Sequence, residues 1–222
     1  MKDLSITQEY LLCALNKKGK IPAFGNEIQT CFVAGALLEL LNNEFVKIQD
    51  KKVVINKKLD ETTFGHLRPL YSFIERSKPK SIKTLASDYI FTFSSKRLND
   101  LIQSVGDSLV AADCAEGKKE RGIFGGEKAR YFAKAEGIEY VVQKIRAELL
   151  EDGDLSDETV CLTSLFNKSG LLKQYFSRYE SKQLNDRINE IKNSESNRLV
   201  KEMLDYIDTL ILVVIVSSSS GK

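Results

Sequence analysis

Between Phe24 and Leu41 the chain reads Phe-Gly-Asn-Glu-Ile-Gln-Thr-Cys-Phe-Val-Ala-Gly-Ala-Leu-Leu-Glu-Leu-Leu, with no Lys, Arg or Pro. From Ile28 onward, apolar or small residues cover most of the helical circumference. A helix that is apolar nearly all round belongs inside a domain. Asn26 is the expected N-cap, since its side-chain oxygen can accept a free N–H of the first turn. At ~1.5 Å per residue the segment is about 25 Å long, domain-sized and short of a bilayer span. The pattern therefore predicts a central helix that other helices surround.

The flanking segments are amphipathic. Leu4 to Leu15 carries Ile6, Tyr10, Leu11, Ala14 and Leu15 on one stripe, and Ser5 stands three residues before Gln8 as a capping start. Lys17-Lys-Gly-Lys ends that helix, with Gly19 as the turn residue. Phe45 to Ile48 and Val53 to Ile55 flank Gln49-Asp-Lys-Lys as a small hairpin. Phe64 to Ile74 reads as a helix that Ser77-Lys-Pro-Lys breaks. Ser81 caps a helix to Ile90, and Ser94 or Ser95 caps the next, with Leu98, Leu101, Ile102, Val105 and Leu109 on one face. Gly122-Ile-Phe-Gly-Gly and Ala129-Arg-Tyr-Phe-Ala suggest a second hairpin. Helices then return: Ile138 to Leu149, a stretch capped by Ser156 or Asp157, a short piece at Leu171 to Phe176, one marked by Leu184, Ile188 and Ile191, and a last one from Ser194 to Val216. The fold class is mainly α, a single helical domain with hydrophobic central helices ringed by amphipathic ones plus two small β-hairpins.

Among 222 residues there are four widely spaced cysteines, without a CxxC pair, and one histidine. Free buried thiols and no metal site are expected. No signal-peptide pattern precedes Leu4, and the apolar run Leu210 to Val216 is too short to span a membrane, so a cytosolic location is expected. Ser217 to Lys222 reads as a flexible tail, leaving residues 1–216 as the domain.

Net charge is only +2, but it is unevenly placed. Arg76 to Arg97 and Lys118 to Lys134 each carry six basic residues, and Glu148 to Glu158 carries six acids and no base. Such segregation can orient a protein against an anionic surface; the plainer alternative is solvated loop faces.

Taken in order, the chain resembles the Golgi phosphoprotein 3 family, in its short, bacterial-type form. The resemblance begins at Leu4-Ser-Ile-Thr-Gln-Glu-Tyr-Leu-Leu-Cys-Ala-Leu. It continues through Phe24-Gly-Asn-Glu and Gly35-Ala-Leu-Leu-Glu-Leu-Leu, resumes at Leu109-Val, Gly122-Ile-Phe and Lys128, and runs on through Glu139 to Leu150, Val160 to Leu172 and the last helix. Collinear order, rather than one signature, carries it. The resemblance implies a non-enzymatic peripheral membrane protein on a cytosolic face, the Golgi in eukaryotes, that binds phosphatidylinositol 4-phosphate and can act as an adaptor for membrane-protein tails. The chain departs from the family pocket. Gly25 stands at the place of its tryptophan, Val33 or Ala34 at that of one arginine, and Asn99 and Ile102 at those of two more.

The expected substitute site for an anionic headgroup consists of Lys96, Arg97, Arg121, Lys128 and Arg130. Each cation near an anionic leaflet is worth about 1 kcal/mol. Phe124, Tyr131 and Phe132, with Ile123, are the candidates for shallow insertion. The bland alternative is that Lys96 and Arg97 are solvated first-turn residues and Tyr131 packs on the core. A second copy of the chain, met through the second hairpin, is a further expected partner.

No cofactor and no catalytic residue is expected. Gly122-Ile-Phe-Gly-Gly lacks the strand-to-helix context and Gly-Lys-Ser/Thr ending of a P-loop. His66 has no motif partner, and Glu151 to Glu158 lacks the calcium-loop pattern. Two other classes remain: a protein-binding helical scaffold, and a winged-helix DNA binder built from Leu4 to Ile55. The latter is disfavoured, because its second helix carries Glu27 and Glu39 and no basic residue, so nucleic acid is not an expected partner.

Overall fold

The structure is a computed structural model that describes residues 3–22, 26–90, 95–121, 127–151, 155–193 and 198–219. Helix α1 (Ile6–Ala14) opens with the expected capping box of Ser5 and Gln8, the Ser5 N–H donating to Gln8 Oε1 at 2.9 Å. The chain then turns at Asn16, whose Oδ1 accepts from the amides of Lys18 and Lys20 at 2.8 and 3.2 Å. Gly19 sits there at φ +68°, and a Cβ on it would lie 3.0 Å from the Phe132 ring, so both backbone and neighbour require glycine.

Helix α2 (Asn26–Asn42) is the central helix, with every residue from Thr30 to Leu40 buried. The cap region before Asn26 lies outside the described residues. Strands β1 (Val46–Gln49) and β2 (Lys52–Ile55) pair antiparallel with Val46 opposite Ile55. Asp50 and Lys51, both at positive φ, make their two-residue turn.

The helix expected from Phe64 to Ile74 is instead α3 (Glu61–Phe64), a 3-10 turn (Gly65–Leu67) and α4 (Arg68–Arg76). Pro69 is the reason, since it lacks an N–H and is tolerated only in a first turn. Helices α5 (Ile82–Ile90) and α6 (Lys96–Ala111) follow. Hairpin β3 (Ala115–Arg121) and β4 (Glu127–Ala133) places Gly117 opposite Tyr131. Its first strand is the charged run Ala115 to Arg121; the expected Gly122-Ile-Phe-Gly-Gly piece lies outside the described residues.

Helices α7 (Ala135–Leu149), α8 (Asp157–Ser169), α9 (Leu172–Tyr175), α10 (Arg178–Asn193) and α11 (Arg198–Ser219) complete the chain. Ser156 caps α8 by accepting from Thr159 N, and Gly170 ends it in the left-handed conformation. Helix α11 continues through Ser219, so three residues of the expected tail are helical. All four cysteines are free and buried.

The directions of the long helices fix the ends of the molecule. Leu38, Cys161 and Met203 line one cavity, Gly35 faces Leu165, and Lys168 pairs with Asp208 at 2.6 Å. Hence α8 and α11 run side by side in one direction, and both run opposite to α2. They finish at the end where α2 begins. Tyr10 Oη donates to the Ile28 carbonyl at 3.1 Å and Tyr175 Oη to that of Cys13 at 2.7 Å, which places the end of α1 and its Asn16–Lys20 turn at this same end.

Candidate membrane-facing site

At the end where α2 begins, the second hairpin is clipped to the Asn16–Lys20 turn. Tyr131 N donates to the Gly19 carbonyl at 3.1 Å, and Arg130 NH1 to that of Lys18 at 3.1 Å. Arg130 Nε also meets Glu120 Oε2. The clip leaves Lys17, Lys18 and Lys20 exposed on one tight turn, without a carboxylate partner among the described residues. Lys118 stands over the Phe132 ring at 5.1 Å, and Lys173 is exposed on α9, the helix whose Tyr175 bonds the Cys13 carbonyl. Sequence reasoning read Lys17-Lys-Gly-Lys only as a helix stop. Its cluster of three like charges was the available signal.

Two of the insertion candidates need correction. Tyr131 is 2% exposed, and its ring lies where Gly106 would carry a Cβ, at 2.5 Å. Its Oη donates to Asp107 Oδ1 at 2.6 Å, with the Gln103 carbonyl 3.2 Å away. Burial and the Asp107 carboxylate push its phenol well up. Such a side chain joins the hairpin to α6 and cannot enter a bilayer without unpacking. Phe132 is half-buried against Gly19. Phe124, and the side chains of Arg121 and Lys128, lie outside the described residues.

Lys96 and Arg97 do not join the hairpin cations. Lys96 pairs with Asp100 at 2.7 Å. Arg97 lies over the Phe73 ring at 4.5 Å, donates from NH1 to the Asp88 carbonyl at 2.7 Å, and receives Tyr89 Oη on its own carbonyl at 3.0 Å. It therefore locks α5 to α6 and lines a shallow groove with Pro69, Ser72, Arg76 and Asp100. From Arg97 to Gln103, where Tyr131 touches α6, is six residues, about 9 Å of helix.

Residues 6–209 match the model of the Golgi phosphoprotein 3 (GPP34) family. The chain belongs to that family. No curated protein matches it in sequence. Membership in the Golgi phosphoprotein 3 family suggests, at the level of the family, a Golgi-associated role in phosphoinositide binding or as an adaptor. Of the positions where the family pocket would be, Gly25 is outside the described residues, Ala34 is buried, Asn99 is exposed and Ile102 packs against the core. None of these positions carries a cation.

The opposite end of this Golgi phosphoprotein 3 family member holds an acidic cavity of about 430 Å³, lined by Asp3, Glu9, Glu39, Asp157, Glu158 and Lys144 among others. Its two buried carboxylates are committed to the fold. Glu39 Oε2 accepts from Thr7 N at 3.1 Å, so it satisfies a free N–H of α1, and its Oε1 accepts from His66 Nε2 at 2.9 Å. His66, without a motif partner in the sequence, thus has Glu39, and also Ser5 Oγ at 3.2 Å. Glu9 accepts from Lys144 Nζ at 3.0 and 3.2 Å. Burial nevertheless pushes its carboxyl up to about 7, against the pull of Lys144 and aided by Glu148 and Glu158.

Among the described residues no cluster of His, Cys, Asp or Glu could hold a metal ion, and no helix is long and apolar enough to cross a membrane. A helix buried like α2 cannot read a DNA groove, which removes the winged-helix alternative.

Proposed function

We propose that the protein attaches reversibly to anionic membrane surfaces through the end where α2 begins, with Lys17, Lys18, Lys20, Lys118 and Lys173 toward the lipid phosphates. The observation that carries this reading is the tight turn on which three lysines stand exposed and uncommitted to any carboxylate among the described residues. Three to five such cations supply about 3–5 kcal/mol of attraction to an anionic leaflet. They are exposed, so salt screens the attraction and it fades as ionic strength rises. Phosphatidylinositol 4-phosphate is the family's lipid. In this chain the family pocket's cations are replaced, so the surface reads charge density in place of one headgroup, and adaptor activity toward membrane-protein tails would follow from attachment. No catalytic step is part of this reading.

Co-sedimentation with neutral vesicles, phosphatidylglycerol vesicles and vesicles containing phosphatidylinositol 4-phosphate, at low and physiological salt, tests it. Binding to every anionic vesicle that weakens with salt is the expected result. Binding to the phosphoinositide alone would show a specific pocket in place of a charged surface, and no binding at all would remove the membrane reading.

A further inference from the structure

The last helix ends in a long uncharged stretch. As far as Ile211 it buries Val200, Met203, Leu204, Ile207, Leu210 and Ile211. Lys168 and Lys192 hold Asp208 level with the end of α8. Beyond Asp208 the helix continues for eleven residues, about 16 Å, without a charge. Seven of them in a row, Leu210 to Val216, are apolar. A helix with seven successive apolar residues is apolar on every face, and a core on one side can cover only part of it. Leu212 is 58% exposed, whereas its neighbours Leu210 and Ile211 are buried. Val213, Val214, Ile215 and Val216 are β-branched, and such a run is a weak helix former in water.

This helix end lies at the end of the molecule where α2 begins, the one that presents Lys17, Lys18, Lys20 and Lys173. An apolar helical segment beside exposed lysines matches the two layers of an anionic leaflet, acyl chains beneath phosphates. The run of seven residues, about 10 Å long, suits the interfacial depth and falls well short of a span. We infer that the last turns of α11, from Leu212 to Val216, are the segment that enters the acyl region of an anionic bilayer, in place of the aromatic residues of the second hairpin. This inference rests on the membrane reading above and names the part of the chain that carries it.

The chain contains no tryptophan, so one introduced residue reports alone. Leu212→Trp and, as a control at the acidic cavity, Tyr140→Trp are mixed with phosphatidylcholine–phosphatidylglycerol vesicles whose acyl chains are brominated near the headgroup. The expected result is a shift of emission to shorter wavelength and strong quenching for Leu212→Trp only. Sedimentation with the vesicles while the Leu212→Trp emission stays unshifted and unquenched would overturn the inference and leave the membrane reading standing. An emission shift that follows protein concentration without vesicles would also overturn it, because a second copy would then cover the helix end. If neither variant sediments, the membrane reading falls and this inference with it. Leu212→Asp keeps the result interpretable: with an unchanged circular dichroism spectrum it should sediment several-fold more weakly, and undiminished sedimentation would count against insertion.

Discussion

The two ends of the molecule use charge in opposite ways. At the acidic cavity, Glu9 and Glu39 are almost fully buried, and each is held by named donors: Lys144 for one, Thr7 N and His66 for the other. At the end where α2 begins, Lys17, Lys18 and Lys20 are exposed on a turn whose Lys18 and Lys20 amides are tied to Asn16. A buried charge must be paired, and once paired it belongs to the fold. An exposed lysine on a rigid turn costs the fold little and stays available to an outside anion. Charge at one end therefore serves the fold, and at the other it is what the proposed attachment draws on.

The largest effect should come from Glu39→Ala, which leaves the buried Thr7 N without its acceptor and His66 Nε2 with Ser5 Oγ alone. Leaving a buried donor unsatisfied costs about 1–3 kcal/mol, more where a charged acceptor is removed, read as a lower urea midpoint. Vesicle binding of the folded fraction should not change. Replacing Lys17, Lys18 and Lys20 together by Ala should do the reverse. It removes about 3 kcal/mol of surface attraction, roughly a hundredfold in vesicle partitioning, with a urea midpoint close to that of the wild type.

Glu9 adds a pH dependence that belongs to the cavity alone. Its folded carboxyl is raised to about 7 from 4.5, so the folded state holds the proton more tightly than the unfolded state. The stability tied to that proton is complete below pH 4.5 and is lost as pH rises through 7, with a total on the order of 3 kcal/mol. Glu9→Gln should flatten this decline in urea midpoints measured from pH 5 to 8; an unchanged slope would place the proton elsewhere. The smallest effect is expected from Tyr131→Phe. It loses the hydrogen bond to Asp107 and about 1–2 kcal/mol of stability, while vesicle binding stays at the wild-type level. A loss of binding there would return Tyr131 to the membrane.

Much of the fold was legible because it rests on periodicity and local chemistry. The uninterrupted apolar circumference of Ile28 to Leu41 marked the buried helix, Ser5 with Gln8 marked a start, and Gly19 marked a turn. Pro69 was legible in principle as a first-turn residue, yet the apolar spacing around it suggested one continuous helix. The strand Ala115 to Arg121 was hidden because its charged residues stand on both faces, so no alternation shows. The candidate site was the least legible part. Composition grouped Lys96 and Arg97 with the hairpin cations, but proximity in a charge count is not proximity in space. The long-range contacts that sort them, Arg130 to Lys18 and Arg97 to Asp88 and Phe73, have no local signature. Glu39 and His66 likewise find each other only through the fold.

The central claim is that attachment belongs to the end where α2 begins and not to the groove at the start of α6. The most direct test compares wild type, the Lys17/Lys18/Lys20→Ala variant and a Lys96/Arg97→Ala variant in sedimentation with phosphatidylcholine–phosphatidylglycerol vesicles at physiological salt. The account predicts that the triple variant is largely lost from the pellet and that the Lys96/Arg97 variant sediments like wild type. The reverse order would contradict it and move the membrane contact to the groove beside Phe73.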